Sequence, residues 1–394
     1  MAGRRTARTV VCIALLVVLG FSLGFSEFAV IGIEPELAEA FDVPLSRVGE
    51  LISLFSVAYA VLTPVLAVTT GRFRRYTLLT VYLAAFCVAN VMMALAPTFE
   101  ILLAARVLLG AVSGALLAVG VTFIPDLVGV RRMSMMISVV YAAFSVAMVV
   151  ATSVGKIVAE TMDWHAVMVI ALVLALLVSA ALLPAMPRTG TTDEPATVRE
   201  QVGLLAEPQI IAGILVFLFG VGSVYVFYGY VTPYLEDVLG MDAVGASAAL
   251  MVYGVMCFVS NLISGWVDLK YGMKGLLVVF PIQAALLAAL FLVGGAMPLA
   301  LAPVMLIGLS MYVVSVSCIS LFMRVARERH PKAMVLASSL EPMAFNMGIA
   351  FGTAVGGAVV AGTGLPYVGL VGAAFSLVAC GCVGATLAID RRRG

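Results

Sequence analysis

The run "TVVCIALLVVLGFSLGFS" (residues 9–26) carries no charge, and runs like it recur through the chain. A hydrocarbon core about 30 Å thick is crossed by roughly 20 residues of helix. Breaks at charges, Pro and Gly divide the sequence into twelve segments of that kind: 9–33, 49–69, 76–96, 100–124, 132–159, 166–186, 208–233, 244–267, 273–296, 299–323, 333–362 and 365–389. A bilayer offers no water to peptide groups, so each segment must satisfy its own backbone as a helix. The expected fold is an all-α integral membrane bundle of twelve transmembrane helices. Composition agrees. The chain is 63% hydrophobic and 11% charged, against about 25% charged in soluble domains.

The basic residues alternate with the spans. Arg4, Arg5, Arg8, Arg72, Arg74, Arg75, Arg131, Arg132, Arg188, Arg199, Lys270, Lys274, Arg324, Arg327, Arg329, Lys332 and Arg391 to Arg393 fall on one face, 19 of the 22 Lys and Arg residues. Arg47 is in a loop of the other face. Such a bias puts the basic loops inside, so both termini are expected in the cytoplasm of a multi-pass cell-membrane protein. The N-terminal arginines and apolar run resemble a removable leader, but the run continues into Glu27 and a full span, so it is taken as the first helix. A net charge of +1 gives no electrostatic reason to expect nucleic acid as a partner.

The long polar stretch "PRTGTTDEPATVREQVGLLAEP" separates the first six spans from the last six. Its middle, 188–207, reads as a linker between units at 1–187 and 208–394. A faint repeat supports the division: "TTGRFRRYTLL" after span 2 and "SGWVDLKYGMKGLL" after span 8 are basic, glycine-containing connectors at equivalent places. Inverted and repeated halves are a common plan of secondary transporters.

Several stretches resemble the major facilitator superfamily, in particular its drug:proton antiporter and arabinose-efflux-like members. "FSEFAVIGIEPELAEAF" is similar to the first span of that group, "LTPVLAVTTGRFRRYTLL" to its loop 2–3 signature, and "LLAARVLLGAVSGALLAV" to a fourth-span motif built around one arginine, here Arg106. "YGYVTPYLEDVLG" and "AFNMGIAFGTAVGG" resemble its seventh and eleventh spans. The chain departs from the family pattern at Gly71, where an Asp is usual, and at Ala151 and Ser153 in span 5. The resemblance implies two pseudo-symmetric six-helix halves and proton-coupled efflux of a small organic compound by a monomer. A sugar or metabolite uniporter or importer of the same fold is the alternative, and a non-transporting receptor or assembly protein a more distant one.

Charges inside the spans are few. Glu27 lies in span 1, Arg106 in span 4, Lys156 near the end of span 5 and Glu341 in span 11; Glu34 closes span 1. An ionised carboxylate in hydrocarbon costs about 3 kcal/mol or more, so each marks pairing, neutralisation or access to water. Glu27 and Glu34 are seven apart and would share one helical face. Glu27 and Arg106 have compatible depths. Two uses stay open for them: a static bridge, or a proton- or substrate-linked carboxylate beside an arginine. The resemblance links this arginine motif to proton coupling. Lys156 would snorkel to water or pair with Glu160. Glu34, Glu341, Tyr225, Tyr228, Asn261 and Asn346 are candidates for a substrate cavity, with Tyr230 and Tyr312 behind them. Arg72 and Arg75 with Asp126, and Asp268 near Lys270, are candidates for a gate on the basic face.

No enzyme is expected. "GAVSG" echoes a nucleophile elbow but sits inside a span, without the strand–turn–helix that the elbow needs. The six cysteines lie in apolar runs and read as small hydrophobes. His165 and His330 are the only histidines, so neither a metal site nor a cofactor is expected.

Overall fold

A computed structural model of the chain describes residues 2–70, 73–128, 130–188 and 198–393. The twelve expected spans are present as helices: α1 (Ala2–Gly32), α2 (Leu45–Thr70), α3 (Arg75–Ala94), α4 (Phe99–Val121), α5 (Val130–Thr161), α6 (Trp164–Ala185), α7 (Pro208–Tyr228), α8 (Ala243–Tyr271), α9 (Leu276–Val293), α10 (Met297–Ser310, resuming as Val313–Arg329), α11 (Met334–Gly362) and α12 (Val368–Arg393). Their outward faces stay apolar: Leu177, Leu262, Val278 and Leu292 are all more than half exposed, as a helix surface facing lipid requires.

The packing repeats after six helices. α1 lies on α5 and α6, as α7 lies on α11 and α12. α4 lies on α2 and α3, as α10 lies on α8 and α9, and α3 meets α6 as α9 meets α12. The two sets join along two seams, α2 with α11 and α5 with α8. Within each set some backbones nearly touch. A Cβ added at Gly32 would lie 2.4 Å from the Thr152 carbonyl oxygen, and one at Gly352 would lie 2.4 Å from that of Gly222. Glycine removes the side chain that would hold these helices apart.

Two interruptions shape the centre. Helix α1 stops at Gly32; Ile33 takes φ −128° and ψ 26°, and a new helix runs Glu34–Phe41 with Pro35 in its first turn. Proline has no N–H, so the Ile31 carbonyl loses its bond four residues on. The Thr232 hydroxyl, from the other set of helices, donates to it instead at 2.6 Å. Tyr230, two residues past the end of α7, has nearly the same backbone angles, φ −134° and ψ 26°, so "IEPEL" and "VTPYL" form matching corners. The break corrects one expectation: Glu27 and Glu34 do not share a continuous helical face.

The second interruption is in α10 at Met311 and Tyr312. Serines of α8 take up the freed backbone groups. Ser260 accepts from the Tyr312 N–H at 2.9 Å; Ser264 accepts from Val316 N–H at 3.0 Å and donates to the Val313 carbonyl at 3.0 Å. The kink turns Tyr312 toward the middle of the bundle, stacked on Phe345 at 5.2 Å.

Candidate functional site between the two helix sets

Arg106 projects from α4 and is fully buried. Its guanidinium donates to three backbone carbonyls: Nε to Leu51 (2.9 Å), Nη1 to Ser26 (2.8 Å) and Nη2 to Glu27 (3.1 Å). The ring of Phe55 lies under it, 4.4 Å from Cζ. One planar fork thus ties α4 to α1 and α2. The Ser26 hydroxyl donates in turn to Asn90 Oδ1 at 3.0 Å, which brings α3 into the same network. A direct Glu27–Arg106 bridge was one of the two expected uses. The hydrogen bonds of Arg106 run to the backbone of Glu27 and its neighbours, not to the carboxylate.

The Glu27 side chain is 5% exposed, and its Oε2 has no hydrogen-bond partner. It lines a closely packed seam together with Ser56, Phe55, Arg106, Tyr225 and Ile349. Pockets for drug-sized ligands run from about 300 Å³; this seam holds no room for one and is closed in this state. Residues α1, α2 and α4 contribute one wall and Tyr225 and Ile349, from α7 and α11, the other, so the carboxylate sits where the two sets meet.

The tyrosines gather on the α7 side of this seam. Tyr225 is fully buried with its hydroxyl unpartnered. It meets Tyr228 edge-on at 5.4 Å, and Tyr228 stacks on Tyr253 at 4.9 Å. The Tyr312 hydroxyl reaches across to α5, donating to Met148 Sδ at 3.4 Å. Asn346 is buried, with its amide nitrogen on the Pro342 carbonyl and its Oδ1 free of partners. Asn261 is half-buried, with its amide nitrogen 3.5 Å from the carbonyl of Cys257 one turn back. Glu341 is half-buried near the start of α11.

Glu34 is elsewhere. It lies at the end of the bundle away from the termini, in a cluster that the sequence did not reveal. Lys156 of α5 is 1% exposed and holds three carboxylates: Glu36 at 2.5 Å, Glu160 at 2.9 Å and Glu236 at 2.6 Å. The i,i+4 pair with Glu160 was legible; snorkelling to water was the wrong alternative, because Glu36 and Glu236 close over the ammonium. Glu36 comes from the helix after α1. Glu236 comes from a single π-helical turn, Tyr234–Val238, after α7. Two carboxylates flanking the matching corners "IEPEL" and "VTPYLE" were the available signal. At the same end Ser247 of α8 donates to the Ser153 carbonyl of α5 at 2.8 Å. Together with Thr232 and Ile31, these contacts sew the two sets shut there.

At the opposite end the expected gate is arranged differently. Arg75 Nη1 donates to the Thr122 carbonyl at 2.6 Å; Arg72 and the Asp126 side chain lie outside the described residues. Asp268 accepts from Ser320 of α10 at 2.7 Å, and Lys270 sits 5.2 Å from the ring centres of both Trp266 and Tyr271. These partners come from the same set of six helices as the residue they serve.

A bundle with this repeat, with a buried carboxylate beside an arginine on its internal seam, is the architecture of a secondary transporter. Residues 16–341 match the sequence pattern of the Major Facilitator Superfamily, and the chain belongs to that family. Members are membrane proteins that carry small molecules, and they are not enzymes. The chain is 28% identical to the MFS-type transporter YtbD of Bacillus subtilis (strain 168), over 91% of this chain and 90% of that one. It is 27% identical to the purine ribonucleoside efflux pump NepI of Salmonella paratyphi A, over 74% and 72%. Among solved structures, a bacterial homolog of the human lysosomal transporter Spinster, inward-facing and occupied, aligns with TM-score 0.76 at 15% identity, covering 95% of this chain and 96% of that one. That likeness concerns the fold.

Proposed function

We propose that this protein exports a small organic compound across the cell membrane in exchange for protons. Glu27 is the proton site, and Arg106 sets its charge balance. The units 1–187 and 208–394, joined by 188–207, rock about the seam, and Tyr225, Tyr228, Asn346, Asn261 and Glu341 face substrate when it widens. The observation that carries this reading is the buried Glu27 carboxylate with an unpartnered oxygen, on a seam shared by both helix sets. A group used only for bracing would be held by the donors beside it. Here those donors are spent on carbonyls, and the carboxylate is left to exchange a proton as the walls move. The names of relatives suggest where to look for cargo: a nucleoside efflux pump and a probable sugar efflux transporter are both similar to this chain. Flux in proteoliposomes, measured for a panel of nucleosides, sugars and lipophilic amines with and without a pH gradient, tests the proposal. Gradient-driven flux of at least one class is expected; flux that ignores the gradient for every compound that moves supports a uniporter instead.

Orientation follows from the basic residues, with both termini in the cytoplasm and the Glu34 end outside. A cysteine placed in the 188–207 segment is expected to react with membrane-permeant maleimides only. Labelling of intact cells by an impermeant reagent overturns the orientation.

A further inference from the structure

We propose that Glu34 is a second proton-binding site, separate from Glu27, and that its proton holds the Glu34 end of the transporter shut. The argument begins with charge. Lys156 brings one positive charge to the cluster and already binds Glu36, Glu160 and Glu236. Glu34 is a fourth carboxyl group, fully buried, and neither of its oxygens has a hydrogen-bond partner. Of the groups that face it, the two carboxylates make ionisation worse and the two phenols are neutral. Glu36 comes from its own helix, Glu236 from the π-helical turn, and the neutral phenols Tyr228 and Tyr230 from the end of α7. Burial pushes the Glu34 carboxyl well above the usual carboxylate range, and Glu36 and Glu236 push it further the same way.

The location makes this a gate rather than a buried oddity. Glu36 belongs to the first set of helices and Glu236 to the second, and Lys156 clamps both. A bare charge on Glu34 repels Glu236 across the joint as well as Glu36 beside it, and among the described residues no cation binds Glu34. Opening the end lets water reach Glu34 and relieves the repulsion. The closed state therefore binds the Glu34 proton more tightly than the open one. By linkage, closure is favoured in acid and lost as pH rises from the ordinary carboxylate range, about 4.3, through the raised value of the closed state. The clamp carboxylate across the joint, Glu236, acts with the opposite sign. Protonating Glu236 weakens its bond to Lys156, the one of the three that joins the two sets, and opens the end in acid, so the direction of the response identifies the group.

This site rests on the transporter reading only in requiring that an open state exists, and its test measures opening, not transport. Met162, just after α5, and Val244, in the first turn of α8, are 75% and 72% exposed on opposite sides of the clamp. Spin labels on cysteines at these two positions, with the partly exposed Cys87, Cys380 and Cys382 replaced by serine, report their separation in lipid nanodiscs. Between pH 5.5 and 8.5 the ratio of open to closed protein is expected to rise at least tenfold. A one-proton link permits at most about tenfold per pH unit. In the Glu27→Gln background, which removes the seam carboxylate's own proton, adding Glu34→Gln, which keeps the shape without the charge, is expected to hold the change below twofold. In Glu27→Gln alone a rise of at least tenfold is expected to remain, even if transport is lost. An unchanged ratio in the unsubstituted protein, a full response in the doubly substituted protein, or opening at low rather than high pH overturns the proposal.

Discussion

Glu27→Gln protein is expected to fold, reach the membrane and lose pH-gradient-driven flux by at least tenfold. Glutamine fills nearly the same volume and remains uncharged, so the seam among Ser56, Phe55, Tyr225 and Ile349 should pack as before. What it cannot do is give up a proton when the seam opens to water and take one back when it closes. An ionised carboxylate at this depth costs about 3 kcal/mol or more, and alternation between charged and neutral forms avoids that cost in whichever state lacks compensation. Proteoliposomes under an imposed gradient provide the measurement. Normal gradient-driven flux in Glu27→Gln would assign Glu27 to packing or to substrate contact.

The second large effect is expected at Arg106. Its three donors reach carbonyls on two helices, Ser26 and Glu27 of α1 and Leu51 of α2. A lysine ammonium is a point donor on a flexible stem and cannot span all three. Arg106→Lys keeps the charge and loses most of the brace. Hydrogen bonds to charged groups are each worth roughly 1.5–3 kcal/mol, so losing one or two should cost about 3 kcal/mol and lower the thermal midpoint in detergent. Flux is expected to fall at least tenfold, because the backbone of α1 that carries Glu27 would no longer be fixed against α2 and α4. Full activity and an unchanged midpoint in Arg106→Lys would mean that the fork is dispensable.

The transmembrane segments were legible because lipid imposes one rule on every segment, and apolar runs of sufficient length obey it. Glu27 and Arg106 were legible as an associated pair for the same reason, since charges at depth stand out against such a background. Their contact was not. A sequence shows that a guanidinium is present but not which carbonyls its fork meets, and Arg106 turned out to grip backbone. The break at Ile33 had a signal in Pro35, whose missing N–H strands the Ile31 carbonyl. Its consequence was hidden, because the hydroxyl that takes over comes from Thr232, 201 residues away. Helix α10 carries no proline at Met311 and Tyr312, and its break depends on Ser260 and Ser264 of another helix. The Lys156 clamp was half legible. Helical spacing gave Glu160, while Glu36 comes from the short helix after α1 and Glu236 from a π-helical turn, and how the two helix sets dock decides their approach.

The most direct test of proton exchange at Glu27 is to count protons when substrate binds. Purified protein in weakly buffered detergent solution, at a pH where a transported compound binds, is mixed with that compound and a pH indicator. The account predicts a net release of protons on binding to the unsubstituted protein, up to about one per protein, and none from Glu27→Gln at saturating compound. Binding without proton release, or the same release from Glu27→Gln, would contradict it.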